Sequence, residues 1–116
     1  MKIWVAEDET SLSDLIYEHL EPQVGEENIK IFPNGRALLE EMAKTGDRPD
    51  IVLTDYSMPE MSGDELIRVL RATFRTIRVV CMTALPDYGD MAMELGAEAV
   101  INKPFSLFDL DSVLGL

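Results

Sequence analysis

Apolar residues fall along this chain in two alternating patterns, short continuous runs and longer stretches in which they recur every three or four positions. The runs Ile3–Ala6, Ile51–Leu53, Ile77–Met82 and Ala99–Asn102 are rich in β-branched residues. Ile51–Leu53, unbroken, reads as a strand buried on both faces of a parallel sheet, and the others read as strands of the same sheet. Asn28–Phe32 reads as a further strand, followed by a turn at Pro33, Asn34 and Gly35. Between the runs lie helical stripes. Leu12, Leu15, Ile16 and Leu20 form the first, with Thr10 or Ser11 placed to cap it and Pro22 to end it. Ala37, Leu38 and Met42 form the second, and Lys44–Pro49 reads as a loop. Gly63 starts a third helix with Leu66, Ile67, Leu70 and Phe74 inward and Arg68, Arg71 and Arg75 outward. Pro86 opens a fourth that carries Met91 and Leu95 and stops at Gly96. Ser106 and Asp109 suit the cap of a last helix with Leu110, Val113 and Leu114 inward.

Strand then helix therefore repeats five times, a rhythm that predicts an α/β fold, a five-stranded parallel sheet with helices on both faces. No repeat, low-complexity tract or linker interrupts it, and 116 residues suffice for one domain with a core but not for two. The expected organisation is a single domain over residues 1–116.

Charge narrows the function. Ten basic against 22 acidic residues leave −12, which opposes direct binding to nucleic acid or to an anionic membrane. Met1 and Lys2 lead straight into the first strand, so no leader is expected, and no apolar run is long enough to span a bilayer. The single cysteine, Cys81, cannot form an internal disulfide and sits in a core run, which fits a reducing cytoplasm. The seven methionines read as core filler. His19, between Glu18 and Glu21, reads as a solvated surface residue.

The candidate chemistry sits where strands end. Asp55 follows one apolar run, and Glu7 and Asp8 follow another. Asp55 alone suits a turn cap as well as a site. If the two strands are neighbours, however, the three acids converge, and each like-charged pair at about 4 Å costs roughly 4 kcal/mol at an effective dielectric near 20. Such a cluster calls for a hard divalent cation, and Mg2+ suits one with few protein ligands and room for a phosphate. Thr83 and Ala84 follow the next run, and Lys103 the last. A hydroxyl and an ammonium beside a carboxylate-bound metal suit phosphoryl transfer, which needs positioning and charge neutralisation more than covalent elaboration.

Glu7 and Asp8, the run Asp55–Gly63, Met82–Ala84 and Asn102–Phe105, taken in that order, resemble the motifs of the receiver domain of two-component response regulators, including the single-domain chemotaxis type. The resemblance spans essentially the whole chain. It implies a flavodoxin-like, doubly wound sheet of strand order 2-1-3-4-5 with five helices. It implies that Asp55 accepts a phosphoryl group from a phosphohistidine on a sensor histidine kinase or histidine phosphotransfer protein. Mg2+ would be held by Glu7, Asp8, Asp55 and the backbone carbonyl of Ser57. Thr83, Ala84 through its N–H, and Lys103 would hold the phosphoryl oxygens, and the Lys103–Pro104 bond would be cis. The expected role is a phosphorylation-dependent switch or relay that assists its own phosphorylation and dephosphorylation and is otherwise not an enzyme. It would act on a downstream output protein or domain, with a phosphorylation-dependent homodimer as one form of output. The alternative is a degenerate receiver serving as a docking module, although Asp8, Asp55, Thr83 and Lys103 are all present.

Departures from the commonest family pattern stand out at four positions. Glu7 occupies a position where Asp is commoner, and Val100 one where many receivers carry a switching aromatic. Leu85 and Ser57, two residues after Thr83 and Asp55, offer little to orient a hydrolytic water, so a phosphorylated state that outlasts those of the fastest-decaying receivers is expected. A phosphohydrolase would need a second acid at Ser57, and a dinucleotide-binding domain a glycine-rich loop after the first strand. Neither is present.

Overall fold

The computed structural model describes all 116 residues. Strands β1 (Ile3–Ala6), β2 (Ile29–Phe32), β3 (Ile51–Asp55), β4 (Arg78–Thr83) and β5 (Ala99–Asn102) alternate with helices α1 (Thr10–Val24), α2 (Gly35–Thr45), α3 (Gly63–Thr73), α4 (Pro86–Leu95) and α5 (Leu107–Leu114). A turn of 3-10 helix, Glu26–Asn28, precedes β2. All strand pairs are parallel, as the strand–helix rhythm predicts, and stand in the order β2-β1-β3-β4-β5 that the resemblance implies. No helix is long and apolar enough to cross a membrane.

Successive strand residues serve opposite faces. Trp4, Ala6, Val52, Val79 and Cys81 pack with Leu38, Met42, Leu66, Ile67, Leu70 and Ala92 beneath α2, α3 and α4. Ile3, Val5, Ile51, Leu53, Val80 and Met82 pack with Ile16, Leu20, Leu110 and Leu114 beneath α1 and α5. Because both faces are covered, β1 and β3 are buried at every position, which is why they read as continuous apolar runs.

Cys81 is fully buried, and burial pushes its thiol up to about 12. The native protein should therefore resist thiol-specific alkylation at mildly alkaline pH and label fully once unfolded. Rapid labelling of the folded protein would contradict this placement.

Several helix details differ from the sequence expectation. The residue preceding α1 is Glu9, with no side-chain cap, and the helix runs through Pro22 to Val24. The missing Pro22 N–H leaves only the carbonyl of exposed Glu18 unpaired, which water can satisfy. Ser13 rather than Leu15 faces the core, since Ser13, Ile16 and Leu20 share the buried face while Leu15 is 47% exposed. On α4 the buried positions are Gly89 and Ala92, and Met91 is exposed, as are Met93 and Met1. Small residues let α4 approach closely: a Cβ on Gly89 would come within 3.0 Å of Val100 Cγ1. The methionines are thus only partly core filler.

Arg71 does not point outward; it lies along Gly96 and donates to the Ile77 carbonyl. Phe74 sits just beyond α3, at its C-cap. Nor is His19 simply solvated. Its Nε2 lies 2.7 Å from Asp111 Oδ1 and ties α1 to α5, and this contact holds the Asp111 carboxyl below its usual range. A partner 92 positions away is invisible to a reading of local sequence. At α5 the capping box of Ser106 and Asp109 forms as expected.

Candidate functional site

Register decides which strand ends meet. Ala6 pairs with Thr54, so Glu7 and Asp55 emerge side by side; Asp55 pairs with Met82 and Thr83 with Asn102, which brings Thr83 and Lys103 to the same edge. Glu7, Asp55 and Thr83 are buried, whereas Asp8, Ser57 and Ala84 are exposed at the rim. Carboxylate oxygens of Glu7, Asp8 and Asp55 lie within 4.8 Å of one another.

Lys103 bridges two of these acids, its Nζ 2.8 Å from Glu7 Oε1 and 3.2 Å from Asp55 Oδ2. The other Glu7 oxygen, Oε2, accepts from the Glu9 N–H at 3.0 Å. Burial pushes the Glu7 carboxyl above its ordinary range, with the nearby Asp55 adding to the effect, and the hydrogen bonds from Lys103 and Glu9 hold it back. Burial alone would lower the Lys103 ammonium, but hydrogen bonding to Glu7 and the charge of Asp55 outweigh it and raise it. Sequence reading casts Lys103 as a phosphate's point charge; its contact with buried Glu7 was not legible there.

Thr83 Oγ1 accepts from the Leu85 N–H at 3.1 Å, while the neighbouring Ala84 N–H makes no hydrogen bond within the chain. The Lys103 N–H donates to the Thr83 carbonyl at 2.8 Å, and the Lys103–Pro104 bond is cis as expected. Val100 is half-buried behind Thr83, and both approach Gly89. Gly63, which the sequence marks as the end of the Asp55 motif and a helix start, belongs to the site's framework. Its N–H donates to the Tyr56 carbonyl at 2.7 Å, and a Cβ there would lie 2.3 Å from the Asp55 carbonyl oxygen.

The donor set suits a hard divalent cation. Glu7, Asp8 and Asp55 offer only carboxylate oxygen, and once they are ionised Lys103 offsets one of three negative charges, leaving two in a largely buried place. Mg2+ meets both requirements.

Comparison with known proteins agrees with this geometry. The family model described as "Response regulator receiver domain" matches residues 3–114. The sporulation initiation phosphotransferase F of Bacillus subtilis is 32% identical over 117 residues, covering 97% of this chain and 86% of that protein. The transcriptional regulatory protein CreB of Escherichia coli is 32% identical over 106 residues, covering 90% of this chain. This chain spans less than half the length of CreB, at 44%. Among solved structures, the signal receiver domain of a signal transduction histidine kinase from Syntrophus aciditrophicus superposes with a TM-score of 0.85 at 29% identity, covering 98% of this chain and 86% of that one. With five parallel strands in receiver order and the acids gathered at their carboxyl ends, this chain belongs to the response regulator receiver domain family.

Proposed function

We propose that this receiver takes a phosphoryl group onto Asp55 from a phosphohistidine of a sensor histidine kinase or histidine phosphotransfer protein and passes the change to a downstream partner. The observation that carries the reading is the Asp55 carboxylate at the end of β3, 3.2 Å from Lys103 Nζ and clustered with Glu7 and Asp8. An Asp55 carboxylate oxygen attacks phosphorus, a P–O bond forms, the donor's P–N bond breaks, and the imidazole leaves with the bond's electron pair and takes up a proton. Lys103, the Thr83 hydroxyl and the Ala84 N–H stabilise charge on the transferring oxygens. Mg2+, held by Glu7, Asp8, Asp55 and the Ser57 carbonyl, supplies charge neutralisation on that group when bound. Beside Lys103 a groove of Leu12, Leu15, Pro104 and Phe105 gives an incoming donor an apolar footing. For output, Thr83 gives up its bond to the Leu85 N–H when it turns to the phosphoryl group, and this shifts the start of α4. Val100 provides no aromatic rotor to accompany that motion.

Intact-mass analysis after incubation with Mg2+ and acetyl phosphate tests the assignment. The wild type should gain one phosphoryl group and Asp55→Asn none, and the adduct should persist for minutes or longer after donor removal. No adduct on either protein, despite Mg2+ binding, would favour a docking module or a strict requirement for the partner kinase. Mg2+ at ten times its dissociation constant should add about 1.4 kcal/mol of stability, a rise of several degrees in the melting midpoint. Asp8→Asn should blunt that rise, and an undiminished rise would move the metal away from Asp8.

A further inference from the structure

The opposite edge of the sheet carries a second concave site of contrary charge. Asp50 and Ile77 immediately precede β3 and β4, so this edge lies a strand's length from Asp55, roughly 17 Å away. Between the loop entering β3 and the loop entering β4 lies a groove of about 520 Å³, lined by Arg48, Asp50, Thr73, Phe74, Arg75 and Thr76, with Pro49 and Ile77 as apolar wall. That volume lies within the range of small-molecule sites.

Its polar groups are nearly all donors. Arg75 is exposed and forms no ion pair, and the backbone N–H groups of Arg75 and Thr76 make no hydrogen bond within the chain. Arg48 is fixed without being neutralised. Its guanidinium lies 4.5 Å over the Phe74 ring, and Nη1 donates to the carbonyls of Met42 and Asp47 at 3.2 and 3.0 Å. Arg71 braces the same loop through the Arg75 and Ile77 carbonyls. The one acid in the lining, Asp50, already accepts from the Lys2 N–H at 2.7 Å. In a chain of net charge −12, two guanidinium groups against one occupied carboxylate make a local positive field.

We propose that this groove binds a small organic phosphate. Guanidinium groups and free N–H donors match phosphate oxygens in charge and geometry, while Pro49, Phe74 and Ile77 accommodate the organic part. The assignment is independent of the role of Asp55.

The test is an amide-resolved NMR titration of the whole chain with adenosine monophosphate in magnesium-free buffer at constant ionic strength, with adenosine as the uncharged control. Saturable shifts should centre on Thr73 to Ile77 and Arg48, persist in Asp55→Asn, and weaken at least tenfold in Arg75→Glu, with Arg75→Lys intermediate. Arg75 is exposed and unpaired, so these variants should fold. Equal binding of adenosine, shifts centred on Thr83 and Lys103, shifts that do not saturate, or an undiminished response in Arg75→Glu would each overturn the proposal.

Discussion

Gly63→Ala should destabilise the protein by at least about 3 kcal/mol, lowering the melting midpoint by on the order of 10 °C. The added methyl would sit 2.3 Å from the Asp55 carbonyl oxygen and 2.7 Å from Tyr56 Cα. Both are backbone atoms at the end of a central strand, so the clash cannot be relieved by a rotamer change. It must push β3 or α3 aside. Asp55 moves with that backbone, so the folded fraction should also accept phosphate from acetyl phosphate poorly. Gly46→Ala is the matched control. Gly46 has φ 74° and nothing within 4 Å of an added Cβ, so only left-handed strain applies, about 1 kcal/mol. Thermal melts that place the two variants within a few degrees of each other would show that the Gly63 contact relaxes cheaply.

The contrast between these glycines shows what the chain discloses by itself. Strand positions were legible because a sheet covered on both faces demands runs such as Ile51–Leu53 and Val79–Met82, which lack a polar side to hide them. Site residues were legible because each that acts through a polar side chain lies within two positions of the end of such a run. Parallel register then does the rest, setting Ala6 against Thr54 and Asp55 against Met82. Helix faces were less legible. On α4 the contact with the sheet is made by Gly89 and Ala92, whose smallness permits close packing, so hydrophobic weight pointed to Met91 on the wrong side. On α1, Leu15 is apolar but exposed, and Ser13 is polar but buried with its hydroxyl bonded to the Thr10 carbonyl.

The convergence of the site acids was legible, but individual side-chain pairings between distant residues were not. His19 meets Asp111 only because α1 and α5 share a face of the sheet. Arg71 is a charged residue on an otherwise solvated stripe, yet the bare Cα of Gly96 leaves room for its stem. Lys103 belongs with these. The motif marks it as a cation near phosphate, but the structure makes it first the counter-ion of a buried glutamate.

That contact fixes the outcome expected for Lys103→Met, which keeps most of the side chain's length and removes the charge. Losing one partner of a buried pair costs roughly 3–5 kcal/mol, and with the Lys103 side chain 20% exposed water should moderate this to about 2–3 kcal/mol at neutral pH. The deficit should depend on pH. Glu7 already has its carboxyl raised by burial, and without the Lys103 hydrogen bond it rises further. An acid whose folded pKa lies above its unfolded value binds more protons when folded, so its stabilising contribution is complete below the unfolded carboxylate range and is lost as pH rises through the folded value. In magnesium-free buffer the variant should therefore approach wild-type stability near pH 4 and fall behind it towards neutrality. Mg2+ should then stabilise the variant more than the wild type, because the same carboxylates retain one more uncompensated charge, while acetyl phosphate should label it far more slowly. Denaturant melts across that pH range decide the matter: a deficit constant from acid to neutral would mean that Lys103 contributes packing rather than charge, and Glu7 would have to be held by something other than the lysine.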